Sequence, residues 1–189
     1  MHINPLSSEN FVETSKTKLT TVRIPIALYK VIQEDAESDG VGFNTVLTRI
    51  LRKYVEWDRV AEKLGMLSVT REAMKSLMGA ISESQIDTIA KKDAPPVTKE
   101  MAEFWFMSSS IESQIQLLER FCKYGGLGDY NINKVENETK LHLRHGLGRS
   151  FSRMLAGIFG TTFQSVNPQV EAEENSITIV LRNRVKRKK

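Results

Sequence analysis

Lys18-Leu19-Thr20-Thr21-Val22-Arg23-Ile24-Pro25 is the stretch that decides how the first part of this chain is read. Thr20, Val22 and Ile24 fall on one face of a period-2 strand, and Leu19, Thr21 and Arg23 fall on the other, so one face is core and one is open. Pro25 ends the strand and suits the first turn of a helix, where its missing N–H would have no partner anyway. The helix that follows carries Leu28, Val31, Ile32 and Ala36 at helical spacing and stops at Asp39-Gly40. After Gly40-Val41-Gly42-Phe43, Asn44 is a good N-cap. The second helix bears an apolar stripe of Val46, Leu47, Ile50, Leu51, Tyr54, Val55, Ala61 and Leu64 and ends at Gly65. A lone strand leaves both edges unpaired, and two short helices cannot cover a core alone. The strand-helix-helix unit therefore asks for a second copy whose strand pairs antiparallel with its own, giving an intertwined homodimer.

This order and spacing, over residues 16–60, resemble the ribbon-helix-helix family of DNA-binding proteins, of the CopG, Arc and MetJ kind. The resemblance implies that the two strands of a dimer form a ribbon in the major groove, with the outward residues reading base edges. Matched position by position, those residues are Leu19, Thr21 and Arg23, with Lys18 beside them as a phosphate contact. Leu19 stands where a polar reader is usual in the family and can touch only a thymine methyl, so selectivity would rest on Thr21 and Arg23. The turn Gly42-Phe43-Asn44 would present backbone N–H groups to a DNA phosphate at the start of the second helix.

The composition is that of a globular protein of one domain or two small ones, with 40% apolar and 26% charged residues in 189. No run approaches the length of a membrane span, and the first ten residues lack a basic-then-apolar leader pattern. A cytoplasmic location without a membrane partner is the expectation. Cys122 is the one cysteine, which excludes an intrachain disulfide and fits a reducing compartment. The net charge of +4 lies in the tail, since residues 182–189 hold six basic side chains and no acid. Arg182, Arg184, Lys186, Arg187, Lys188 and Lys189 would either add salt-sensitive, sequence-independent affinity for nucleic-acid phosphates or simply solubilise the chain. Around the ribbon the charges are separated: Lys16, Lys18 and Arg23 flank the strand, while Glu34, Asp35, Glu37 and Asp39 gather at the end of the first helix.

Taken in order, residues 1–15 are polar and without periodicity, as expected of a disordered arm, and residues 16–65 form the ribbon-helix-helix unit. Residues 66–96 read as a helical connector. Ser68 is placed to cap a helix carrying Val69, Ala73, Leu77, Met78 and Ile81, and Ser82-Glu83-Ser84-Gln85 is a capping box for a short helix carrying Ile86, Ile89 and Ala90. Asp93-Ala94-Pro95-Pro96 reads as an extended joint. Residues 97–181 then form an α+β domain for dimerisation or sensing. Thr98 caps a helix running to Tyr124, in which Met101, Phe104, Ser108, Ile111, Ile115, Leu118 and Cys122 follow a 3-4 spacing; this seam packs either within its own domain or against a second copy. Two hairpins follow around one helix: Tyr130, Ile132 and Val135 turn at Asn137-Glu138 into Leu141 and Leu143, and Val166, Val170 and Ala172 turn at Glu174-Asn175 into Ile177, Ile179 and Leu181. Between them a helix from Leu147 to Phe163 carries Phe151, Leu155, Ile158 and Phe159.

Few residues could carry chemistry. Cys122, His142 and His145 are the soft-ligand candidates. A ribbon-helix-helix unit joined to an α+β metal-sensing domain is similar to the nickel-responsive regulators, but here the helix precedes the strands and an i, i+3 pair on a continuing strand points to opposite faces. No metal is assigned. His145-Gly146-Leu147-Gly148-Arg149-Ser150-Phe151-Ser152 resembles the segment before the main helix in small ligand-sensing domains of the vinyl-reductase type, from which no activity is carried over. Gly146-x-Gly148-Arg149-Ser150 either holds an anion at a helix start or makes a tight turn that needs glycine. No nucleophile beside a base, no paired acids, no metal-hydrolase motif and no cofactor fingerprint is legible, so neither an enzyme nor a cofactor is expected. The sequence reads as a homodimeric, sequence-specific regulator of transcription on double-stranded DNA, of repressor type, with a C-terminal domain for further assembly or for a small effector. The alternative is an antitoxin-type interaction protein whose residues 97–189 grip a partner protein while the ribbon serves autoregulation.

Overall fold

The computed structural model describes residues 17–135 and 137–182. The chain divides into two compact units, Met1–Met66 and Leu67–Lys189. Helices and one antiparallel sheet together make it α+β, and among the described residues no helix is long and apolar enough to cross a membrane. The expected arm over residues 1–15 lies outside the described residues.

In the first unit, residues 17–25 carry no regular secondary structure. The strand expected there needs hydrogen bonds from a neighbouring strand, and among the described residues of this single chain none pairs with it. Pro25 precedes α1 (Ile26–Asp39), and the Tyr29 N–H bonds the Pro25 carbonyl. α1 ends as the sequence suggests: Gly40 is left-handed at φ 65°, and the Val41 N–H returns to the Ala36 carbonyl at 2.9 Å. α2 (Phe43–Lys53) runs on through a wide π turn at Tyr54–Asp58 into Arg59–Ala61. Its N-cap is Gly42, two residues earlier than Asn44, which lies inside the first turn. Gly42 is already extended, at φ −77° and ψ 151°, so helical geometry starts before Asn44 is reached.

The second unit begins with α3 (Arg71–Ala80), capped by Thr70, whose hydroxyl accepts from the Ala73 N–H at 3.2 Å, rather than by Ser68. α4 (Glu83–Thr88) opens on the capping box read from the sequence: the Ser82 hydroxyl accepts from the Gln85 N–H, and Gln85 Oε1 accepts from the Ser82 N–H at 3.0 Å. A π turn at Ile89–Asp93 leads straight into α5 (Ala94–Phe106). Pro95 and Pro96 are therefore not an extended joint. They occupy the first turn of α5, the part of a helix that tolerates proline best.

The long helix expected from Thr98 to Tyr124 is two helices. α5 stops at Met107, left-handed at φ 54°, and α6 (Ile111–Lys123) starts anew. Ser110 accepts from the Ser113 N–H at 3.2 Å, and the Gln114 amide donates to the Ser109 carbonyl at 2.8 Å. These side chains offer the backbone partners that compete with continued helix, and they break the heptad seam at Ser108.

β1 (Asp129–Val135), β2 (Glu138–Arg144), α7 (Arg149–Thr162), β3 (Gln169–Ala172) and β4 (Ser176–Arg182) complete the unit. Both hairpins form, and their inner strands pair to give one sheet in the order β1-β2-β4-β3, with Leu141 opposite Ile179 and Leu143 opposite Ile177. Val166 belongs to a 3-10 turn after α7 and not to β3. Leu141, Leu143, Ile177, Ile179 and Leu181 face Phe151, Leu155, Phe159 and Phe163 with Ile115, Leu118 and Cys122 of α6, and this is the core. Lys140, His142 and Arg144 alternate onto the outer face.

Candidate nucleic-acid interface

Lys18, Leu19, Thr21 and Arg23 all stand exposed on residues 17–25, Leu19 at 98%. Nearby, the N-terminus of α2 has no side-chain cap, so the first-turn N–H groups at Phe43 and Asn44 are not taken by a capping oxygen. Asn44 is exposed and Phe43 half-buried. The Phe43 ring packs against Tyr29 of α1 with centroids 4.9 Å apart, so its side chain joins the two helices and only its backbone could face a phosphate. Arg49 on α2 is held to Asp39 at the end of α1 by a 2.7 Å ion pair, both side chains exposed.

The apolar stripes of this unit are largely uncovered. Ala36 and Val46 are buried between the helices, whereas Leu28, Val31, Leu51 and Tyr54 remain more than half exposed, and Val22 and Ile26 are more open still. A fully buried side chain of this size stabilises by roughly 1.5–3 kcal/mol, so four at half cover leave on the order of 3–6 kcal/mol unrealised. That is comparable with the net stability of a whole domain, about 5–15 kcal/mol.

In the second unit the sequence candidates are kept apart. Cys122 is buried on α6, its thiol pushed up to about 12 by burial first and then by the Glu119 and Asp129 charges, so it is held as an unreactive thiol. His142 lies on the outer sheet face, hydrogen-bonded to the Thr178 hydroxyl at 3.0 Å. His145 is only 1% exposed, at the end of β2. Among the described residues no group of three His, Cys, Asp or Glu side chains is placed to hold a metal ion.

The His145 ring is fully engaged. The Leu147 N–H donates to Nδ1 at 2.9 Å, which makes Nδ1 an acceptor and puts the proton of the neutral ring on Nε2. Nε2 then donates to the Ser152 hydroxyl at 2.8 Å, and that hydroxyl donates to the Glu174 carbonyl at 3.3 Å. His145 cannot take a proton from Ser152 in this arrangement, so the pair is a structural chain and not a nucleophile with its base. Arg71, a residue that no local pattern singles out, donates to the carbonyls of His145 and Gly126, the latter at 3.1 Å. The glycine turn is likewise occupied from within. The Gly148 N–H donates to the Asn175 side chain at 3.0 Å and the Gly146 N–H to the Asn175 carbonyl at 3.4 Å, so these two glycine amides are engaged within the turn, while the start of α7 at Arg149 and Ser150 has no side-chain cap.

Arg182 closes β4 in a 3.1 Å ion pair with Glu138 and so belongs to the sheet rather than to a tail. Arg184, Lys186, Arg187, Lys188 and Lys189 lie outside the described residues. No protein-family model matches this chain, and a comparison with curated proteins gives no match.

Proposed function

We propose that the chain is a homodimeric, sequence-specific DNA-binding regulator of ribbon-helix-helix type, acting as a repressor through residues 17–65. The observation that carries the reading is one conjunction in the first unit. A segment without regular secondary structure, bearing exposed Thr21 and Arg23, precedes two helices whose apolar stripes stay open. A second copy pairing its segment antiparallel would satisfy the backbone and cover Leu28, Val31, Leu51 and Tyr54 at once. The outward residues would then enter the major groove, with Arg23 donating to guanine and Thr21 making a second base contact. The uncapped start of α2 is suited to a flanking phosphate.

The test is binding to specific genomic fragments and to random duplex across a salt titration, comparing the full chain, Arg23→Ala and a chain ending at Arg182. Loss of one Arg contact to guanine is expected to cost about 1–3 kcal/mol per half-site and to fall on selective binding. Removing residues 183–189 is expected to weaken all DNA alike and to flatten the salt dependence. If Arg23→Ala binds as tightly and as selectively as the parent, the ribbon is not the reader.

A further inference from the structure

In the second unit, α5, α6 and α7 enclose a cavity of about 220 Å³. Met101 of α5, Leu117 of α6 and Ile158 and Phe159 of α7 make its wall apolar, and among the described residues no charged side chain lines it. Thr98, Met101 and Ile158 are partly exposed, so the cavity reaches solvent on that side. Two polar groups also line it. Gln114 is 3% exposed; its amide nitrogen donates one N–H to the Ser109 carbonyl, and its Oε1 is buried with no hydrogen-bond partner. The Thr98 hydroxyl gives its hydrogen to the Ala94 carbonyl at 2.9 Å and keeps its lone pairs free to accept. The site is thus an apolar chamber with a buried acceptor that has no partner.

We infer that this cavity binds a small neutral molecule, apolar over most of its surface and carrying one hydroxyl or N–H group that donates to Gln114 Oε1. An apolar cavity of about 150 Å³ holds benzene, so this one has room for a substituted single ring or a compact fused pair. A charged ligand is excluded by the uncharged wall, which offers no counter-ion for a desolvated ion. A ligand without a donor would fill the space but shut the Gln114 oxygen away from water without a partner, which costs affinity. The inference goes beyond the DNA-binding reading and does not depend on it, because the ligand would be bound by residues of the second unit alone.

The probes are indole, which is neutral and carries one N–H donor, and benzothiophene, which has nearly the same shape and no donor. Each is titrated into the full chain while amide resonances are followed by NMR. Indole is expected to shift resonances of α5, α6 and α7 saturably, with an affinity on the order of tenfold above that of benzothiophene. Gln114→Leu is expected to abolish that preference, and Ile158→Trp, which fills the chamber, to abolish binding of both. The inference is overturned if the parent binds the two probes equally, if the shifts map away from these three helices, or if neither probe shifts them up to its solubility. The comparison of probes on the parent needs no variant, so it stands even where a substitution unfolds the chain.

Discussion

His145 holds together three elements, and the way it does so fixes its charge. Accepting from the Leu147 N–H and donating to Ser152, the ring has no free nitrogen at which to gain a proton without breaking a bond. Burial first, and the Arg71 guanidinium second, hold its pKa below the ordinary value of 6.5. The unfolded chain therefore takes up a proton more readily than the folded one, and stability rises with pH between the two pKa values. The contribution is complete above about pH 6.5 and is lost as pH falls from there towards the folded pKa. The fall in melting temperature between about pH 7.5 and about pH 5.5 should thus be larger for the parent than for His145→Asn, which keeps an acceptor for Leu147 and does not titrate. Equal falls would show that His145 is not the group concerned. The sequence could nominate His145 as a residue of interest, but only the fold brings Asn175, Glu174 and Arg71, distant along the chain, to the same turn.

At the scale of elements, the signals that proved legible were those complete within a few residues. The Ser82 capping box, the Gly40 stop of α1 and the alternation of Leu141 and Leu143 each need only local chemistry. Pro95-Pro96 and Ser108 differ from these, because the same residues suit two structures, and packing against the rest of the unit chooses between them. A Pro pair can open a helix as well as end one, and serines can sit within a helix or cap the next. Another choice of this kind is Gly157 on α7. A Cβ there would stand 2.6 Å from the Ala90 Cβ in the π turn Ile89–Asp93, so the glycine sets how closely these elements approach. Gly157→Ala gains about 1 kcal/mol of helix propensity. It also overpacks the contact, which typically costs about 1–3 kcal/mol, so a net loss of roughly 1 kcal/mol is expected. Chemical denaturation would measure it, and adding Ala90→Gly should restore part of the loss because it removes the opposing Cβ. A Gly157→Ala protein more stable than the parent would mean that the two elements separate freely.

The two units differ in how they reach stability, and that difference is a property of the whole molecule. The second unit closes its own core: the inner residues of β2 and β4 are covered by α6 and α7, with Phe163 and Ile177 almost wholly buried. The first buries Ala36 and Val46 between its helices and leaves two apolar stripes open. Periodicity alone marked those stripes as core without saying whose surface would cover them, since a helix face looks the same whether its partner is in the same chain or another. If the cover is a second copy, protection of α1 and α2 must follow mass action, because association stabilises only the folded, paired form. Hydrogen exchange measured at two protein concentrations about a hundredfold apart should then show amides of α1 and α2 opening less often at the higher one, by up to about 2.7 kcal/mol in opening free energy. Amides of β2 and β4 should be unchanged. Leu51→Glu, which places a charge on the open stripe, should abolish the concentration dependence in α1 and α2 and leave the sheet untouched. If the helices exchange at the same rate at both concentrations, the stripes are not covered by a second copy over that range, and the paired ribbon loses its structural basis.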